Sequence, residues 1–427
     1  MKDSMNTKGT LRLPHVVALY IGAVLGSGIL ILPGVAADLA GPASLVAWGL
    51  MAVLAVPMAL TMALLSARFP DNGGVAFFVT QAFNSRIGSL VGWFFLMSSV
   101  IAAPVIAFTG AGYVCAAAGL GNTAYILISV AILATGILLN YLGIKNTGQV
   151  QIAVVLTIIV IIIVTIAGSL TRIEPVNFTP FMPNGWESVG HAAAILFWCF
   201  LGWEAVSHIS GEFENPRRDA IVGTLIACAV VSILYFLTAL VVVGTHSYGT
   251  GISDVSLVHI IRTSFGPAGA AVAGIAALFI CMAPAIVYCG AASRLACSLA
   301  NSGFAPRIFT LQSQKYSSPL GGLLFLSCCF VILLAVFCTG LVSLSTLIQV
   351  PSGTFILTYV GGCAAGIVLL KGCRWGREIS AASLILTCAI LVFVGWMILF
   401  PLAITLSWYI FLVITGRHHG ILNLHKT

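Results

Sequence analysis

Two acid–base side chains stand four residues apart in a run that is almost wholly apolar. They are Glu204 and His208, in Phe197-Trp198-Cys199-Phe200-Leu201-Gly202-Trp203-Glu204-Ala205-Val206-Ser207-His208. A spacing of four puts both on one face of a helix, and such a pair could take up and release a proton. A charge held mid-membrane costs at least about 2.5 kcal/mol, so the default reading of Glu204 is functional. The plainer alternative is a neutral carboxyl hydrogen-bonded for structure. A second cluster carries backbone chemistry: Gly26-Ser27-Gly28-Ile29, then Pro33-Gly34. Glycines this dense cost about 1 kcal/mol each in a helix. Freed backbone groups in lipid cost more unless they line a cavity. Close packing of two helices is the alternative use of such small residues.

The elements that position these residues must lie in a membrane. The chain has 427 residues, 60% hydrophobic and 7% charged, with mean hydropathy +1.12. A soluble domain carries about 25% charged residues, so the surplus apolar surface must face lipid. Runs of about 20 apolar residues predict twelve spans: 13–38, 44–66, 87–118, 123–142, 147–169, 188–211, 219–244, 267–300, 319–338, 341–370, 379–397 and 399–416. The first is too long for a signal peptide and reads as a permanent span. Pro401 suggests a tight hairpin between the last two. The stretch Gly73–Asn84 is too short to cross and lies at the inner surface or begins the third span. With the N-terminus inside, sixteen of the eighteen Lys and Arg fall on the cytoplasmic side and only Arg172 and Arg262 outside. That bias puts both termini in the cytoplasm, in the inner (plasma) membrane.

Several classes are excluded. The net charge is +7, but the Lys and Arg sit singly in short loops, which argues against nucleic acid. Most of the twelve cysteines, Cys115, Cys328 and Cys338 among them, fall in apolar runs and read as small buried hydrophobes. His191, Glu204 and His208 share one helix, with no second acidic or metal-binding group in a neighbouring span. No enzyme, metal or cofactor is therefore expected. A channel would show a repeated filter or charged rings, and none is present.

The two clusters fall in spans one and six, the spacing of a five-plus-five inverted repeat. Carriers with such repeats bind substrate where two discontinuous helices meet at the midplane. The expected organisation is a cytoplasmic segment 1–12, a first repeat 13–169 and an outside loop 170–187. A second repeat 188–370, two further helices 371–416 and a cytoplasmic segment 417–427 follow.

At these residues the chain resembles the amino acid–polyamine–organocation (APC) superfamily. The likeness runs through Gly26-Ser27-Gly28-Ile29 with Pro33, and Phe200-Leu201-Gly202-Trp203-Glu204. It continues through Glu214-Asn215-Pro216-Arg217-Arg218, and Ser293-Arg294 leading to Asn301-Ser302-Gly303-Phe304-Ala305-Pro306. Within the superfamily it is most similar to bacterial methionine/branched-chain amino acid exporters, on Gly73-Gly74-Val75-Ala76 through Arg86 and Phe197 through His208.

The resemblance implies an all-α integral membrane protein of the LeuT-like fold, with helices one and six discontinuous. It implies a carrier of neutral amino acids, proton-linked and exporting, as a monomer or dimer. Uptake, or exchange of cationic amino acids or polyamines, is the alternative. Gly26, Ser27, Gly28 and Ile29 would meet the substrate carboxylate; Trp198, Cys199 and Leu201 would lie at the ammonium. Ala103, Pro104, Ile106 and Ala107, with Met282, Ala283 and Pro284, would wall the side chain. Phe200 and Trp203, with Trp198, are candidate gates, and Glu204 and His208 the proton-coupling pair. Some proton-coupled relatives carry a lysine in span five; here Thr157 is near that place.

Overall fold

The computed structural model describes residues 9–250, 252–342, 344–391 and 398–414. Among them the chain is helical, with one isolated bridge between Leu11 and Phe213. In order the helices are α1 (Leu13–Val24), α2 (Gly28–Ala40), α3 (Ser44–Arg68), α4 (Gly74–Ala82), α5 (Ser85–Ala118) and α6 (Asn122–Tyr141). Then follow α7 (Ile144–Ser169), α8 (Gly185–Leu196), α9 (Trp203–Ser207), α10 (Pro216–Gly244), α11 (Ser256–Ser264) and α12 (Gly269–Asn301). The chain continues through α13 (Leu320–Cys338), α14 (Leu344–Gln349), α15 (Ser352–Leu369), α16 (Gly376–Leu391) and α17 (Leu399–Ile414). Among the described residues nine helical stretches are long and apolar enough to cross a membrane, and Leu13–Val24 and Leu399–Ile414 are shorter apolar helices. The last two expected spans, 379–397 and 399–416, fall partly outside the described residues. Lys2, Lys8, Arg417, Lys426 and the expected cytoplasmic termini fall outside them too.

Helix is the only local structure that satisfies these runs in lipid, because every N–H and C=O then pairs within its own segment. The side chains sort accordingly. Leu127, Leu156, Val160, Ile233, Val331 and Leu406 are exposed and form an apolar outer belt. Small residues of α12 and α5 let these two long helices lie against each other through the centre of the molecule. Residues of the α1 start, the α3–α4 turn, and segments 208–216 and 301–319 gather at one end. There Arg12 Nε meets Glu214 Oε2 at 2.9 Å, and Leu11 N–H donates to Glu212 O at 2.9 Å. At the other end Arg172 Nη2 donates to Thr263 O at 2.7 Å, and Ser253 to Asp38.

Three parts depart from the sequence expectation. Gly73–Asn84 forms a separate helix, α4, and Asn84 caps α5 by accepting from Arg86 N and Ile87 N at 3.1 and 2.9 Å. The segment after α10, between the expected spans 219–244 and 267–300, contains α11, whose one apolar face packs on α2 and α12. The expected span 341–370 divides at Val350-Pro351, because proline lacks the N–H a continuous helix needs and disfavours helical backbone before it. Cys328 and Cys338 are exposed on α13 rather than buried, and all twelve cysteines are free thiols.

Candidate functional site

The first broken helix parts at Leu25, whose φ of −79° and ψ of 80° leave the helical region. Gly26 and Ser27 bridge the gap before α2 begins. The N–H groups of Ser27 and Gly28 find no backbone acceptor among the described residues. The second break lies between α8 and α9. Phe197–Phe200 tighten into a 3-10 turn, Leu201 is extended, and Gly202 has φ +126°. A side chain at Gly202 is barred twice: by that φ, and because a Cβ would stand 2.7 Å from Ala23 O. The two breaks therefore touch backbone to backbone. Tyr235 of α10 ties them, its Oη standing 2.7 Å from Val24 O and 3.2 Å from Cys199 O. Its single proton is shared between a freed carbonyl of each break.

Between the breaks is a cavity of about 40 Å³, lined by Ala23, Val24, Gly26, Ser27, Gly28, Ala102, Ile106, Trp198, Cys199, Leu201, Pro284, Tyr288 and Phe355. A water needs about 10–15 Å³ of such space, so the cavity has room for a few waters only and is contracted. No charged side chain lines it. The N-terminus of α2 presents its positive dipole end there, and the C-terminus of α8 its negative end.

Glu204 lies in the first turn of α9 and is fully buried. Its Oε2 accepts from Gly202 N–H at 2.9 Å and from the Tyr359 hydroxyl, and its Oε1 from the Tyr288 hydroxyl at 3.3 Å. The carboxylate thus caps α9 and joins it to α12 and α15. His208, also fully buried, stacks on Phe95 with ring centroids 4.2 Å apart. Neither of its ring nitrogens has a hydrogen-bond partner among the described residues. No group of three His, Cys, Asp or Glu among those residues could hold a metal.

The amino acid permease family profile matches residues 11–416, nearly the whole chain. This chain belongs to the amino acid permease family. It is 34% identical to the uncharacterized amino acid permease YecA of Bacillus subtilis (strain 168), over 94% of this chain and 95% of that one. It is 31% identical to the L-methionine/branched-chain amino acid exporter YjeH of Escherichia coli (strain K12), over 92% of this chain and 94% of that one. The structure of MhsT in complex with L-phenylalanine superposes with a TM-score of 0.66 at 16% identity, covering 91% of this chain and 99% of MhsT. That likeness shows the fold, the LeuT-like one. The family's members are transporters, not enzymes.

In this permease fold, Gly26, Ser27, Gly28, Ile106, Trp198, Cys199 and Leu201 line the cavity, as does Pro284. Ile29 and Ala103 are buried beside it without lining it. The two bulky gate candidates point elsewhere. Phe200 packs on Trp48 and Tyr235, and Trp203 on Tyr20. The aromatic groups at the cavity are Trp198, Tyr288 and Phe355. The expected Glu204–His208 contact is absent, because Glu204 turns back to the N-terminus of α9. Sequence reading also missed Tyr235, Tyr288, Phe355 and Tyr359. In α7 Gln151 is buried toward the interior while Thr157 is half-exposed; the Gln151 Nε2 donates to Ala283 O at 3.3 Å and its Oε1 has no partner among the described residues.

Proposed function

We propose that this chain carries neutral, apolar amino acids across the membrane by alternating access around the cavity between the two breaks. The observation that carries the reading is the meeting of opposite helix ends at an uncharged cavity. The free N–H groups of Ser27 and Gly28 suit an α-carboxylate, and the carbonyl end of α8 suits an α-ammonium. Ala102, Ile106, Pro284 and Phe355 offer only apolar wall. An unpaired charge against such a wall is costly, so methionine, leucine, isoleucine and valine are favoured over arginine, lysine, glutamate and polyamines. The likeness to the E. coli exporter supports both this substrate class and outward transport. The Lys/Arg bias supports placing the end that carries Arg12, Arg68, Lys145 and Arg217 in the cytoplasm.

Protons are the proposed coupling ion, through Glu204. As a carboxylate it accepts three hydrogen bonds that link α9 to α12 and α15. A proton on it removes part of that accepting capacity and loosens the links on the cytoplasmic side of the cavity. His208 is the second titratable group, at the opposite end of the same short helix, and reaching Glu204 requires a water or a rearrangement.

The test is thermal unfolding of the purified chain with each of the twenty amino acids, followed by counterflow in liposomes. A ligand at 100 times its Kd stabilises by about 2.7 kcal/mol, so a binder is seen directly. Methionine and the branched aliphatic amino acids should raise the unfolding temperature and support stereoselective counterflow. Tighter binding of arginine than of methionine would overturn the neutral-substrate reading.

A further inference from the structure

A second cavity, of about 460 Å³, opens at the end that carries Arg12, and it shares no lining residue with the central one. Its walls are polar. Asp71 and Asn72 come from the α3–α4 turn, Glu212 from the segment after α9, Arg294 and Asn301 from α12, and Gln312 from the loop beyond. Its volume lies within the roughly 300–1,000 Å³ of small-molecule sites.

Arg294 is the centre of this cleft, with its side chain only 6% exposed. Nη1 donates to Gly290 O at 2.9 Å and to Asn140 Oδ1 at 3.4 Å. Nε stands 3.8 Å from Glu212 Oε1, beyond a hydrogen bond, and Nη2 makes none to the described residues. A guanidinium has five N–H donors in a fork that matches a carboxylate, and Nη2 is left open to the cleft. Opposite it, Glu212 Oε1 accepts only the long bond from Asn72 Nδ2 at 3.3 Å, and Asn72 Oδ1 is buried with no partner. The cleft therefore holds a buried cation in a long ion pair with the part-exposed Glu212, beside one buried acceptor without a partner among the described residues, Asn72 Oδ1.

We propose that this cleft is a second amino acid site, binding the α-carboxylate on Arg294 and the α-ammonium on Glu212 and Asn72 Oδ1. The proposal rests on the reading that the chain handles free amino acids. A phosphate or other plain anion fits poorly, because Glu212 and Asp71 stand beside Arg294. The amide rim of Asn301 and Gln312 offers no apolar pocket, so binding here discriminates side chains less than the central cavity does. The place suits loading. Glu212 also holds Leu11 N–H through its carbonyl, and Glu214 N–H donates to Leu11 O at 2.8 Å. A carboxylate that takes Arg294 from Glu212 acts on the same segment that closes this end.

Equilibrium binding of radiolabelled L-leucine to the full chain in lipid nanodiscs tests it. The wild type should show two sites per chain. Arg294→Gln should weaken the second by roughly tenfold or more, the loss expected when a charge-assisted pair goes, and leave the first. Asn301 is exposed at the mouth, so Asn301→Trp blocks the cleft without touching a buried group and should give the same result. Propionate, which lacks the ammonium, and L-leucinol, which lacks the carboxylate, should not displace the second site. One site per chain that ignores both variants overturns the cleft and leaves the carrier reading intact. Displacement by inorganic phosphate as effective as by leucine overturns the zwitterion assignment. An absence of leucine binding at either site sinks the carrier reading and this proposal with it.

Discussion

The contact between the two breaks makes Gly28→Ala the most informative single change. A Cβ on Gly28 would stand 2.5 Å from Cys199 Sγ and 3.6 Å from the Cys199 Cα and Cβ. Carbon atoms pack best at about 3.5–4.0 Å, so the sulfur overlaps the new methyl by about 1 Å. Neither side retreats easily. Cys199 is 2% exposed, and the Tyr235 hydroxyl holds its carbonyl and that of Val24. Overpacking of this kind costs about 1–3 kcal/mol. If the breaks press together in the substrate-bound form and part in the substrate-free form the variant adopts, the cost falls on binding and methionine affinity drops about five- to 150-fold. The assay is equilibrium binding of labelled methionine to purified protein, with thermal unfolding alongside to confirm that the variant folds. Cys199→Ala removes the atom that is struck, so Gly28→Ala/Cys199→Ala should recover most of the loss, a favourable coupling of about 1–3 kcal/mol. Strictly additive losses, or wild-type affinity in Gly28→Ala, would refute the idea that substrate binds between these backbones.

Glu204→Gln keeps size and hydrogen bonding but cannot ionise, so it should retain methionine binding and exchange while losing pH-dependent net flux. Flux measured in liposomes under separate pH and sodium gradients checks this, and a mutant with normal pH dependence makes Glu204 purely structural. Tyr235→Phe leaves two buried carbonyls without their shared donor and should destabilise the chain by about 1–3 kcal/mol, read as a lower unfolding temperature and weaker methionine binding. A cysteine engineered at Lys145 should be closed to an impermeant thiol reagent from outside the cell, and labelling from outside would reverse the proposed orientation.

The spans were legible because lipid leaves the chain few alternatives: α5 and α12 begin and end within a few residues of the apolar runs that predict them. The first break was legible in Gly26-Ser27-Gly28 because glycine density has no other purpose as economical in a span. The facing of residues around the second break was not. A 3-10 turn followed by extended Leu201 and Gly202 at φ +126° resets the helical phase. Phe200 and Trp203, gate candidates by resemblance alone, thereby face Trp48, Tyr235 and Tyr20 instead of the cavity. The four-residue argument for Glu204 and His208 fails for a separate reason, since both lie beyond the reset. Glu204 sits at a helix N-terminus created by the break, where it accepts from Gly202 N–H. Tyr288 and Tyr359 carried no local signal, because one tyrosine in an apolar span reads alike whether it faces lipid or the core. Only tertiary packing brings both hydroxyls to one carboxylate.

On the proposed reading, the parts of a substrate common to all amino acids meet backbone groups, which every residue has. The N–H groups of Ser27 and Gly28 need no particular side chain, only that none intrude. What the site demands of the sequence is therefore negative. Gly28 and Gly202 must lack a Cβ so that the breaks can close on each other. Choice among amino acids then falls to the wall, where Ala102 and Ile106 come from α5 and Phe355 from α15. These helices are separate from both breaks, so the wall can change volume without disturbing the backbone groups. The coupling residue follows the opposite logic. Glu204 caps α9 and receives hydroxyls from α12 and α15 at once. Any change in its charge is felt by three elements together, which is the arrangement a carrier needs if one proton is to decide which end stays closed.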